Sequence, residues 1–455
     1  MIQKSSYFAL AALLLSPPLL AMTDAEIEAR FKQYESRIQA LENDLAKAKK
    51  SSPVYVEDLA KSVERVEKQL AQKTESPLKI NGFVTAAATV AKEDVNRFNI
   101  SDSVNFRGLS KAGVQLTYQL NDKADATIQM VAKSDDTGGT NTWNLNAEWA
   151  YLGYQVTDDL KMRAGRLRIP FYMYSESLDV GYSYPWARPP LSVYRSPLTA
   201  YDGVDMTYNF VTGDIKHATQ FWTGSYVDTS NGPAGLPDNL ELKDQYGVNM
   251  TSTWGDFTAR AMMFTIAIDG TTTVDVNGGV PPLYLQFDAE DKLDYSAIGF
   301  QWDNGQYFVI TETTDLRSRD GLFFLDEKSG YITAGTRIQD WTPYATYGWA
   351  YTANESDFVG AFDGATVCGG PAVIGGAADN KSCSSQSKNF SLGLRKELGT
   401  NLSFTMQWDH YYDFGGTNGY WGFAGYSSTG FPPTTTTGEG WSNADVYTLS
   451  LDAVF

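Results

Sequence analysis

Residues 164–190, AGRLRIPFYMYSESLDVGYSYPWARPP, hold the densest mixture of side chains able to do chemistry. Arg163, Arg166 and Arg168 precede Pro170, and Glu176, Asp179, Arg188 and Arg195 follow within one irregular run. Guanidinium and carboxylate groups so placed either pair and fix the run, or act on ions in a narrow water-filled passage. Both uses are open for these residues. Phe171, Tyr172, Tyr174, Tyr182, Tyr184, Trp186 and Tyr194 also have two uses. Rings fill space while each hydroxyl finds a partner, or they stack on a sugar ring. Packing is the simpler of the two.

Other candidates are sparse. His410, in QWDHYYD, invites a His–Ser reading for lipid hydrolysis. Alternation aims it to the side of Phe404, Met406 and Trp408, and no activated-nucleophile motif is visible, so no enzyme activity is expected. Cys368 and Cys383, the only cysteines, fall in one stretch flanked by Gly and Asn. In an exported chain they are expected to form a disulfide closing that stretch. With two His in all, no metal site is expected, and no cofactor motif appears. The net charge of −18 argues against nucleic acid as a partner.

The elements that must position these residues begin after an export signal. MIQKSSYFALAALLLSPPLLA has Lys4, an apolar run and a small terminal Ala21, so residues 1–21 read as a signal peptide. Pro17 and Pro18 spoil the run as a membrane anchor. Residues 22–75 change character. Ile27, Phe31, Tyr34, Ile38, Leu41, Leu45 and Ala48 recur in steps of four and three, and Leu59, Val63, Val66 and Leu70 repeat the pattern. Such a heptad seam predicts a coiled coil, interrupted at Ser51-Ser52-Pro53, with a lone amphipathic helix as the alternative.

From Leu78 to Phe455 the period becomes two. Leu78, Ile80, Val84, Ala86 and Val90 alternate with Lys79, Asn81, Thr85 and Thr89, and VQLTYQL, VDMTYNF and YTLSLDAVF repeat the arrangement. One apolar and one small polar face describe a wall between lipid and water. Seven tight polar breaks, from Asn121-Asp122-Lys123 to Gly399-Thr400-Asn401, alternate with long Gly-, Asp- and Ser-rich stretches. That layout predicts an all-β transmembrane antiparallel barrel of about sixteen strands over 78–455. The strand that carries the first of these arginines aims Leu160, Met162 and Ala164 at lipid and Lys161 and Arg163 at the channel, with Arg166 and Arg168 near its upper end, where it gives way to the loop. The opening stretch becomes the third long loop. Its prolines suit a fixed element better than a mobile flap.

Residues 78–455 resemble the trimeric sixteen-stranded porins of Gram-negative outer membranes, through AGRLRIPF, YDGVDMTY, WTPYATYGWAY and the terminal Phe455. The leading heptads resemble the subset with a periplasmic coiled coil. The resemblance implies a homotrimer, and a terminal aromatic read by the outer-membrane assembly machinery. It also implies a third loop folded inward to constrict the channel. The constriction would then carry Lys161, Arg163, Arg166, Arg168, Glu176, Asp179, Arg188 and Arg195, with acids opposing bases across the gap. The expected function is passive diffusion of small hydrophilic solutes and ions across the outer membrane, among lipid and lipopolysaccharide. A channel selective for anions or oligosaccharides is the alternative, as is a structural barrel gripping peptidoglycan through its coiled coil.

Overall fold

The computed structural model describes residues 77–92, 102–134, 143–196, 199–228, 239–275, 284–319, 326–353, 386–415 and 443–455. The signal-peptide and coiled-coil readings and the Cys368–Cys383 pair lie outside them. Pro77–Phe455 forms one unit. Sixteen strands follow one another: β1 (Leu78–Ala91), β2 (Lys111–Asn121), β3 (Ala124–Ser134), β4 (Trp143–Thr157), β5 (Leu160–Arg168) and β6 (Ala200–Thr212). Then come β7 (Ile215–Asp228), β8 (Asn239–Trp254), β9 (Phe257–Asp275), β10 (Tyr284–Asp303) and β11 (Tyr307–Ser318). The last are β12 (Glu327–Thr336), β13 (Trp341–Thr352), β14 (Gln386–Glu397), β15 (Leu402–Tyr412) and β16 (Asn443–Val454). Each pairs antiparallel with its sequence neighbours, and β1 pairs with β16 to close the barrel. The expected strand number and closure are observed.

Period two makes the wall. Leu152, Met162, Phe221, Met263, Ile298, Leu392 and Leu451 are exposed on the outer face, while Thr85, Gln129, Asp205, Asn249, Thr405 and Ser450 are buried inside. Outward apolar side chains on strand after strand form the belt that lipid requires. Each tight break of the sequence is a hairpin turn. At the turn between β10 and β11, Asp303 Oδ1 accepts from the amide of Gly305 at 2.9 Å, and Gly305 takes φ +87°, which a Cβ disfavours. Closure is completed by Phe455, whose amide donates to Gly82 O at 3.0 Å while Gly82 N donates to Phe455 O at 2.7 Å. Its ring lies over Gly82, where a Cβ would come within 2.3 Å of it.

Two departures from regularity shape the interior. The β3–β4 ladder shifts register between Gln129 and Met130, opposite Glu148, and this bulge turns both Glu148 and Trp149 to the buried side. In β5, Gly165 has φ +135°, and a Cβ there would lie 2.2 Å from Ala150 O, so only glycine fits this close approach. β5 and β6 end low in the wall. Arg168 faces Ala200, while β4 continues seven residues beyond Ala150, the partner of Arg166. Through this dip the chain turns inward. A closed barrel of sixteen strands is wide enough to receive it.

Candidate functional site

The third loop, 169–199, crosses the barrel interior. Its entry is set by Pro170, whose carbonyl accepts from Arg260 Nη2 on β9 at 2.7 Å. The amide of Met173 then donates to Glu312 on β11 at 2.8 Å. Two single 3-10 turns follow, Ser175–Ser177 and Gly181–Ser183. After them Trp186 Nε1 donates to Thr333 on β12 at 3.0 Å and to Thr346 on β13 at 3.3 Å. The amide of Ala187 donates to Gln407 Oε1 on β15 at 3.0 Å, and Arg188 Nη2 to Thr89 on β1 at 3.2 Å. The Tyr182 hydroxyl donates to Thr400 O at 3.0 Å, in the turn between β14 and β15. The loop therefore runs from the upper end of β5 to the short-turn end of the wall.

Charge holds one side of it. Arg168 donates to Glu148 at 2.9 Å, to Ser175 O at 3.1 Å and to Asp179. Lys133 lies 2.6 Å from Glu148 and 3.8 Å from Asp179, and Lys111 lies 3.5 Å from Asp179. Two acids thus sit among three bases drawn from β2, β3 and β5. Burial works to raise the Asp179 carboxyl, but Arg168, Lys111 and Lys133 outweigh it and hold the group well below the usual carboxylate range.

Arg163 forks onto Asp205 of β6 at 3.0 and 2.6 Å, with the rings of Trp149 and Tyr151 at 5.7 and 5.3 Å. Glu176 reaches the same guanidinium at 3.3 Å, and Lys161 binds Asp125 at 2.7 Å. Arg195 pairs with Glu327. Arg188 has no acid in ion-pair range among the described residues, and burial pulls its guanidinium below the usual value. Glu176 and Asp179 therefore do not stand across a gap from the bases of β5; they bond to them. Among these charged side chains the most open are Glu176 at 61% exposure, Lys161 at 36% and Lys133 at 35%.

Arg166 is not among them. It shares parity with Met162 and Ala164, its partner Asp202 shares parity with Val204 and Tyr208, and all of these are on the outer face. The two bond at 3.0 Å in a parallel fork on the outside of the wall. Arg166 thus carries the parity of the outward row up to Ala164, although Arg168, two residues on and of the same parity, turns inward to Glu148 and Asp179.

The rings pack. Tyr172, Tyr184, Trp186 and Tyr194 are buried, and Phe171 meets Phe264 at 5.1 Å and Tyr295 at 5.3 Å. The Tyr194 and Tyr331 hydroxyls both donate to Glu312, the latter at 2.9 Å. Tyr174 and Tyr182 are only partly covered. His410 faces outward and bonds Asp445 at 2.8 Å, between the rings of Trp408 and Tyr412. His217 contacts Ser252 at 2.8 Å on the outer face, with the Phe210 ring against it. Sequence reasoning missed Lys111, Lys133, Glu148, Glu312 and Gln407. Inward parity is the sequence signal for Lys111, Lys133, Glu312 and Gln407, whereas Glu148 has none, because the bulge alone turns it inward.

No family profile and no curated protein sequence matches the chain. Solved structures do. OmpT of Vibrio cholerae, expressed in the outer membrane, matches at 13% identity over 83% of this chain and 97% of that one, with a TM-score of 0.50. Salmonella typhi OmpF, solved with daunomycin, matches at 10% identity over 83% and 97%, also at 0.50. An anion-selective porin from Comamonas acidovorans matches at 12% identity over 83% and 99%, at 0.48. Likeness at these identities speaks to the fold, a barrel of the outer-membrane type.

Proposed function

We propose that the protein is an outer-membrane porin, a water-filled channel for passive diffusion of small hydrophilic solutes and ions, narrowed by its third loop. Residues 1–21 direct export, residues 22–75 gather copies through a periplasmic coiled coil, and a homotrimer is the working assembly. One observation carries the reading. A loop anchored by side chains of strands around the whole barrel, from Thr89 on β1 to Gln407 on β15, lies inside a wall with an apolar exterior. A lumen so narrowed passes small solutes, and charges in a low-dielectric slit act strongly on ions. The burial of Tyr172, Tyr184 and Trp186 supports a general channel over one that stacks sugars on the loop's rings.

Planar-bilayer recording tests this. Purified protein should open channels, and absence of conductance would refute the reading. In a salt gradient, Glu176→Gln should move the reversal potential toward anion preference, because Glu176 is the most open acid of the loop. Arg166→Ala should leave the reversal potential where it was, since that side chain faces outward.

A further inference from the structure

The burial that takes Tyr172, Tyr184 and Trp186 out of reach of a solute spares two rings of the third loop. Tyr174 and Tyr182 stay partly open. The Tyr182 hydroxyl reaches Thr400 in one short turn, and that of Tyr174 reaches Gln301 at 3.4 Å, two residues before Asp303 of another. Both rings therefore roof the short-turn end of the lumen. Inward parity puts a polar wall beneath them. Arg337, which follows β12, forks onto Asp303 of β10 at 2.7 Å through both terminal nitrogens and lies over the Phe308 ring at 5.1 Å. Glu397 of β14 accepts from Tyr182 at 3.1 Å and from Arg395 at 2.7 Å. The Arg337 guanidinium is near enough to interact with both Tyr174 and the Glu397 charge. β12 and β14 are two strand spacings apart, ~10 Å, which is a span of sugar size.

We propose that this recess beneath the loop is a subsite for a neutral polyhydroxylated solute, a small sugar. The inference deepens the porin reading and rests on it. Charge sets the class. Arg337 is matched by Asp303 and Arg395 by Glu397, so these four groups carry no net charge with which to hold an ion. They offer planar polar groups instead, suited to pairs of neighbouring hydroxyls. Arg337, Asp303 and Glu397 each keep part of their surface open, and the Gln301 carboxamide nitrogen donates to none of the described residues. The rings supply the apolar half of the site. Arg395 takes one face of Tyr182 at 4.7 Å, and the open remainder of that ring is a surface on which the C–H face of a sugar can stack.

The test is ion current through the full-length protein in a planar bilayer, with maltose as the probe. Maltose should reduce the current along a saturating curve, whereas a polyethylene glycol of equal mass should reduce it only in proportion to its concentration. Arg337→Ala and Gln301→Ala should each raise the half-blocking maltose concentration about fivefold, the loss expected for a hydrogen bond at an open site. If Arg337→Ala does not fold, Gln301→Ala decides alone. The proposal is overturned if maltose acts no differently from the polymer, or if both variants are blocked as wild type is. It is also overturned if a charged sugar, gluconate or glucosamine, blocks at a lower concentration than maltose. In all three cases channels are open and the porin reading stands. Absence of any channel sinks that reading and this inference with it.

Discussion

Replacing Arg168 with methionine should free the third loop from the β2–β5 side of the barrel. Its guanidinium is the one group that touches Glu148, Asp179 and the Ser175 carbonyl together. Breaking one partner of a buried ion pair costs about 3–5 kcal/mol. Here the loss should fall at the lower end, because Lys133 and Lys111 remain near both acids. The variant should lose heat resistance in detergent and its open-channel current should become noisy. Arg168→Lys should rescue only in part, since a point charge cannot fork between two carboxylates. Acid sharpens the contrast. A carboxyl depressed on folding stabilises above its unfolded value and loses that contribution only as pH falls through the folded one. With Asp179 held well below the usual range, the wild-type loop should stay pinned to about pH 4. In Arg168→Met one of the charges holding it there is gone, and noise should rise at a higher pH. Equal heat resistance and quiet current in the variant would show that the charge cluster does not hold the loop.

Trp186→Ala should be as damaging on the opposite wall. The ring is 1% exposed, with Tyr174 and Tyr331 edge-on at 5.6 Å. Removing so large a buried side chain costs about 3–5 kcal/mol, because its surroundings collapse only in part. Little of this comes from the hydrogen bonds. Thr333 and Thr346, which accept from Nε1, already bond each other at 2.7 Å and are not orphaned. Trp186→Phe should therefore cost far less, on the order of 1 kcal/mol. Urea unfolding of the folded barrel distinguishes the two variants. Similar midpoints for wild type and Trp186→Ala would mean that the loop is held without this ring.

Much of the architecture was legible because it is local. Alternation needs only residues two apart, and each hairpin turn carries its own polar signal, as Asp303-Asn304-Gly305 does. Even the outward aim of Arg166 was available from its parity with Leu160, Met162 and Ala164. The same parity would aim Arg168 outward as well, and only the structure shows it turned in to Glu148 and Asp179. The bulge at Glu148 was not legible. Register shifts depend on the facing strand, and nothing in EWAYLGY marks where two residues will oppose one.

By itself the sequence determined the wall, the number of its strands and the place of the third loop, since a two-residue period and short turns act between near neighbours. Tertiary structure alone decided the pairing of the charges and the fate of the rings. Met173 bonds Glu312 across 139 residues of chain and Ala187 bonds Gln407 across 220, and only closure of the barrel brings such groups within reach. Where the loop packs on the wall, little water reaches Arg168 and Asp179, so the two bond rather than face each other across a gap.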